Sequence, residues 1–244
     1  MILVPATVHG RVLIDTDGDA AVSLRVLVGF HGYGQSAEDM IEELRRIPDA
    51  DQWTRVSIQA LNRFYTRGDA KVVANWMTRE DREQAIADNI AYVDAVLDRV
   101  ARAKAHALQT EATEVQGRGG SEVPGFSPGQ VVLAGFSQGV AMAYRAALLG
   151  ARPVAGIIAL AGDIPPELKT DVAHRHPWPK VLIGVGHLEQ WYSSDKVDQD
   201  EAFLTARGVE HSVVRFKGGH EWTEEFRDAA GAFLAAESLG NLGT

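Results

Sequence analysis

The chain contains no cysteine, which excludes disulfides, thiolate-bound metals and a cysteine nucleophile together. It also lacks a basic excess. Its 33 acidic residues outnumber 24 lysines and arginines, giving a formal net charge of -9, and the two signs are interspersed. No basic stripe is present to neutralise a phosphate backbone, so nucleic acid is not an expected partner. Nowhere do about 18 apolar residues run together. The amino-terminal stretch MILVPATVHGR has neither the positive region nor the small-residue cleavage site of a secretory signal. These absences predict a cytoplasmic protein without membrane insertion. What remains is the composition of an ordinary globular protein: 244 residues, 45% hydrophobic and 23% charged, enough for one sizeable core and therefore one domain over 1–244.

Short β-branched runs alternate with helical patterns along the chain. The runs are LRVLVGF (24–30), RVSIQAL (55–61), QVVLAGF (130–136), VAGIIALAG (154–162), KVLIGVG (180–186) and EHSVVRF (210–216). Nearly continuous apolar strands separated by helices predict an α/β architecture with a mostly parallel sheet covered on both faces. Ahead of them, TVHGRVLIDTDGDAAVSLRVLVGF has hairpin character, with Asp17-Gly18 as the turn signal. The clearest helix spans about 78–107, where Ile86, Ile90, Val93, Leu97 and Val100 recur every three or four residues behind a Thr78/Asp81 capping pattern. Residues 108–129, rich in Gly, Ser, Pro and Glu and without periodicity, read as a mobile surface loop inside the domain.

Gly135-Phe136-Ser137-Gln138-Gly139 fits G-x-S-x-G directly after the strand VVLAGF and directly before the helix VAMAYRAALL. A serine at such a strand-to-helix turn is held in a strained backbone with its hydroxyl beyond the carboxyl edge of the sheet, beside the free N–H groups of the helix start. Ser137 is therefore the expected nucleophile, in preference to a simple helix cap. A nucleophilic serine needs an oriented imidazole. His220, in FKGGHEW after the last strand, fits the order serine, acid, histidine. For the acid, Glu189 stands three residues past Gly186 at the end of KVLIGVG and is favoured; Asp163, Asp195 and Asp198 are its rivals. The turn His31-Gly32-Tyr33-Gly34 resembles those that donate one backbone N–H to an oxyanion, which assigns the donors to Tyr33 and Gln138. It contains no phosphate-loop pattern.

Together FHGYGQSAEDM, GFSQG and GGHEW, in this order, resemble the phospholipase/carboxylesterase family of α/β-hydrolases, small serine esterases related to acyl-protein thioesterases. The resemblance runs from about residue 24 to 236. It implies an α/β-hydrolase fold without a large cap domain, and cleavage of carboxylic esters or thioesters with no cofactor and no metal. Glu189 is a departure, since the family usually has aspartate there. Phe64, Trp76, Met77 and Trp191 stand near the expected catalytic loops and are the candidate substrate contacts, with packing beneath loops as the alternative. Arg63, Arg67 and Arg79 suit either an acidic substrate or the plain surface. The histidines of HRH, at 174–176, read as a solvated turn and not as a metal pair. The expected partner is a small-molecule ester, and a homodimer is compatible with this reading.

Overall fold

The computed structural model describes residues 2–4, 6–17, 23–68, 70–116, 131–170 and 174–240. Nine strands and five α-helices carry the fold among them: β1 (Val12–Asp15), β2 (Val26–Phe30), α1 (Ala37–Arg45), β3 (Thr54–Ile58), β4 (Asn62–Tyr65), β5 (Val72–Asn75), α2 (Arg82–Gln116), β6 (Val131–Phe136), α3 (Gln138–Leu149), β7 (Gly156–Leu160), β8 (Lys180–Gly186), α4 (Ser194–Ala206), β9 (His211–Phe216) and α5 (Glu224–Gly240). Seven strands form one sheet in the order β1-β3-β2-β6-β7-β8-β9. Every neighbouring pair is parallel except β1 with β3.

Strand alternation explains why the central runs are apolar throughout. Val26, Val28 and Phe30 of β2, with Val131 and Leu133 of β6, enter a core shared with Val93 and Leu97 of α2, Met142 of α3 and Val197 of α4. Their alternating partners Leu27, Val132 and Ala134 enter a second core on the other face, with Met40 and Leu44 of α1 and Phe226 and Leu234 of α5. A strand buried on both faces cannot show a polar alternate, so length and bounding turns were its readable signals.

Three expectations need correction. The predicted amino-terminal hairpin does not form between β1 and β2: β1 pairs antiparallel with β3, Val12 opposite Ile58 and Asp15 opposite Arg55, and Gly18 lies outside the described residues. The residues around Phe64, given no element above, form the two-stranded hairpin β4–β5, with Asn62 opposite Asn75. The long helix begins at Arg82, behind Asp81 at φ 47°, and the Thr78 hydroxyl contacts the Glu80 carbonyl instead of capping. That helix continues to Gln116, so residues 108–116 are helical and not loop; 117–130 lie outside the described residues.

Candidate active site

The turn from β6 into α3 holds Ser137 at φ 54° and ψ -119°, a conformation that costs a non-glycine residue about 1–3 kcal/mol. Close packing forces it. A Cβ at Gly139 would lie 2.0 Å from the carbonyl oxygen of Phe30, and one at Gly135 would lie 2.6 Å from Val140 Cα. Only glycines on both sides let the helix approach β2 closely enough for the turn to close. The Ser137 N–H donates to Leu160 O of the neighbouring β7 at 2.9 Å, and Ser137 O accepts from the Val140 N–H at 3.0 Å. These contacts fix the backbone and leave the hydroxyl at a cleft of about 350 Å3.

His220 and Glu189 meet from two different loops. His220 Nδ1 lies 2.6 Å from Glu189 Oε2, and the Glu189 side chain is 1% exposed. The remaining oxygen, Oε1, accepts the N–H groups of Trp191 at 2.7 Å and Tyr192 at 3.4 Å. Burial acts to raise the Glu189 pKa, but the Trp191 N–H, the imidazole and the Tyr192 N–H outweigh it and hold the carboxyl below the usual glutamate range. The imidazole lies against the ring of Phe136, the residue before Ser137, with centroids 4.9 Å apart. The loops touch at Gly186, where a Cβ would stand 2.4 Å from the Gly218 carbonyl oxygen, and the Leu188 N–H donates to that same oxygen at 2.8 Å.

The rival acids are otherwise engaged. Asp163 pairs with Lys196 at 3.3 Å, Asp198 pairs with Arg215 at 2.7 Å, and Asp195 stands in the first turn of α4.

The loop after β2 is pinned so as to leave one N–H over. Gly32 N–H donates to Gln35 Oε1 at 2.7 Å, Gly34 N–H to Ala74 O at 3.0 Å, and Gln35 N–H to Gly32 O at 3.3 Å. The Tyr33 N–H has no acceptor among the described residues, nor has the Gln138 N–H at the start of α3. The Gln138 side chain grips the other side of the cleft, accepting from Trp76 N–H at 2.8 Å and donating to Met77 O at 3.2 Å.

Of the four expected substrate contacts, Met77 and Trp191 line the cleft with Ser137. Trp191 is 75% exposed at its rim. Trp76 is displaced from that role. It has no exposed surface, its indole N–H donates to His31 O at 2.8 Å, and its ring packs on Phe30 and His31. Phe64 lies on the hairpin against the Tyr33 ring, with centroids 5.4 Å apart. Arg63 binds the His9 carbonyl at 2.6 Å. His174 stands edge-on to Trp178, and His176 Nε2 lies 3.1 Å from Gly150 O. No group of three metal-ligating side chains occurs among the described residues.

Two buried polar residues make contacts that no sequence signal announced, although one of them, His31, belongs to the turn singled out above. His31 is fully buried, with Nδ1 2.7 Å from Gly32 O and Nε2 3.1 Å from the Ala60 N–H. Nδ1 must donate and Nε2 accept, so the ring is neutral, in line with burial lowering its pKa. Asp200, 1% exposed on α4, accepts from the Ile164 N–H and from the Tyr192 hydroxyl, both at 2.9 Å. It thereby joins the loop after β7 to the loop carrying Glu189.

Residues 20–237 match the phospholipase/carboxylesterase family. The chain belongs to that family. The described sheet and helices accordingly form the α/β-hydrolase fold of that family, with a mostly parallel central sheet. The chain is 34% identical over 104 residues to acyl-protein thioesterase 1 of Saccharomyces cerevisiae. That match covers 37% of this chain and 46% of the yeast protein, so it spans about half the length of this curated relative. Among solved structures, esterase PE8 superimposes with a TM-score of 0.65 at 23% identity, over 94% of this chain and 99% of its own. The Bacillus cereus carboxylesterase gives 0.63 at 15% identity, over 93% and 94%. At such identities these two establish the fold. No helix among the described residues is long and apolar enough to cross a membrane.

Proposed function

We propose that the protein is a serine carboxylesterase that hydrolyses short-chain carboxylic esters or thioesters through an acyl-enzyme on Ser137. The observation that carries this reading is the 2.6 Å contact between His220 Nδ1 and the buried Glu189 carboxylate, made beside a serine on a strained turn. With Nδ1–H bound to Glu189, the imidazole presents Nε2 as its basic nitrogen. Nε2 takes the hydroxyl proton as Ser137 Oγ attacks the acyl carbon, and Glu189 stabilises the imidazolium that forms. The spare N–H groups of Tyr33 and Gln138 receive the developing oxyanion; one such donor is worth about 2.7–4 kcal/mol in the transition state. His220 then protonates the leaving alcohol or thiol, and water attacks the acyl-enzyme by the same route in reverse.

The cleft volume of about 350 Å3 stands near the lower end of small-molecule sites, which supports a short acyl chain. The yeast relative's name supports thioesters alongside oxygen esters.

The test is hydrolysis of 4-nitrophenyl esters from acetyl to dodecanoyl by the wild type and by Ser137→Ala. We expect kcat/KM to peak at a short acyl chain and kcat to fall by at least about 10^4-fold in the variant. Comparable turnover by a folded Ser137→Ala protein would refute the mechanism.

A further inference from the structure

The cleft beside Ser137 is unusual in its charge. Arg82, Arg145 and Lys196 line it, with Asp163 as the acidic lining residue and Glu167 behind. Three cations thus face two carboxylates, in a chain whose formal net charge is -9. The pairing leaves one cation's worth of charge over. Arg82 and Arg145 share Glu167: Arg82 Nη2 is 3.1 Å from Oε2, while Arg145 Nε and Nη2 stand 2.8 and 2.6 Å from Oε1. Lys196 pairs with Asp163 at 3.3 Å and donates to Trp191 O at 3.1 Å.

Arg145 is the decisive group. Its side chain is 2% exposed, and a buried guanidinium ordinarily has every N–H matched to an oxygen. Among the described residues its Nη1 instead reaches only the thioether sulfur of Met77, at 3.6 Å, a weak acceptor. Met77 also lines the cleft. Arg145 sits on the same helix as the serine turn, eight residues on, which puts the two Cα atoms about 12 Å apart. Helical side chains lean toward the amino terminus, so the guanidinium falls between its own turn and Ser137.

We propose that Arg145 and Arg82, with Lys196 of the same cleft, form an anion subsite, and that the preferred substrate is an ester carrying a free carboxylate a few bonds from the scissile carbonyl. The proposal rests on the esterase reading above and specifies its substrate class. The carboxylate accepts from Arg145 Nη1, replacing the sulfur contact, and draws on the charge that Glu167 leaves unbalanced. Half-esters of dicarboxylic acids present that anion on the acyl side, and acyl esters of hydroxy acids present it on the alcohol side.

The experiment compares kcat/KM for the mono-4-nitrophenyl ester of adipate with that for 4-nitrophenyl hexanoate, and in a second arm 4-(hexanoyloxy)butanoate with butyl hexanoate. We expect the charged ester to be preferred by about tenfold in one arm, which identifies the side of the anion, with the preference shrinking in high salt. Arg82→Gln, on a side chain 42% exposed, is the primary variant because truncating the buried Arg145 endangers the fold. It should remove most of the preference, chiefly through KM of the charged ester. A purely structural Arg82–Glu167 tie would lower both members of each pair alike. Efficient hydrolysis of neutral esters with no preference in either arm, or a preference untouched by Arg82→Gln, overturns the subsite and leaves the esterase reading standing. If no ester is turned over, the esterase reading fails, and calorimetry of adipate with Ser137→Ala decides the subsite separately: absence of binding overturns it.

Discussion

As the proposed nucleophile, Ser137 concentrates the conflict between stability and chemistry in one residue. Its φ of 54° and ψ of -119° are tolerated because the Leu160 carbonyl and the glycine-mediated contacts with β2 and α3 leave the backbone no alternative. Glycine adopts that conformation without a Cβ penalty, although it also loosens the unfolded chain. Ser137→Gly should therefore stabilise the protein by about 1 kcal/mol net while eliminating turnover, read as a higher urea midpoint at unchanged slope. A lower midpoint would mean that the strain is not stored at this residue. Gly139→Ala has the opposite sign for a different reason, since its Cβ meets the Phe30 carbonyl at 2.0 Å, a backbone atom unable to move aside alone.

At the scale of elements, the proposed triad depends on loops being tied to one another. Glu189 follows β8 and His220 follows β9, neighbouring parallel strands with Gly186 opposite Phe216, so both loops emerge at the same sheet edge. Register alone does not aim the carboxylate. Its aim comes from the Trp191 and Tyr192 N–H groups, and Tyr192 is in turn held by its hydroxyl on Asp200 of α4. Tyr192→Phe removes one of the partners of a carboxylate that is 1% exposed, and should cost about 1–3 kcal/mol. Because Tyr192 also steadies the Glu189 loop, kcat should fall severalfold with KM for a neutral ester nearly constant. Loss of stability with kcat unchanged would show that Asp200 serves the fold alone.

For the molecule as a whole, two buried groups at the site contribute to how stability depends on pH, in separate windows, alongside His174, Asp39 and Glu167, whose pKa values are also lowered. His31 has its pKa lowered by burial, against opposing help from the Gly32 carbonyl and Asp39. The unfolded chain therefore binds this proton more readily, and stability present above its ordinary value of 6.5 is lost as pH falls below it. Glu189 is also held low, so its contribution is complete above its ordinary value of 4.5 and is lost as pH falls below that. Urea unfolding across this range should show a first decline beginning near pH 6.5 that His31→Gln flattens, and a second below 4.5 that Glu189→Gln flattens. A single decline unaffected by His31→Gln would contradict the neutral, buried imidazole.

The sequence by itself determined the parallel α/β plan, the serine turn and the candidate histidine and acid, because these rest on local signals. Apolar runs of strand length are one such signal. Others are the glycines that a tight strand-to-helix turn demands and the chain order in which parallel strands deliver their loops. Membership of the family was legible in the same segments. Other features were decided only by the tertiary structure, because they depend on contacts between residues far apart in sequence. Pairing of β1 with β3 instead of β2 is one, since antiparallel partners announce themselves only when a short turn joins them. The burial of Trp76 beneath the site is another: an aromatic in an irregular stretch reads alike whether it faces the cleft or the core. The choice of Glu189 over Asp163, Asp195 and Asp198 as the partner of His220 is a third. All four carboxylates stand after strands or at a helix start, and what separates Glu189 is its burial, its two backbone donors and the imidazole 2.6 Å away. The same holds for Arg145, an unremarked residue of the helix VAMAYRAALL, whose weakly satisfied guanidinium only folding brings against Met77 and the cleft.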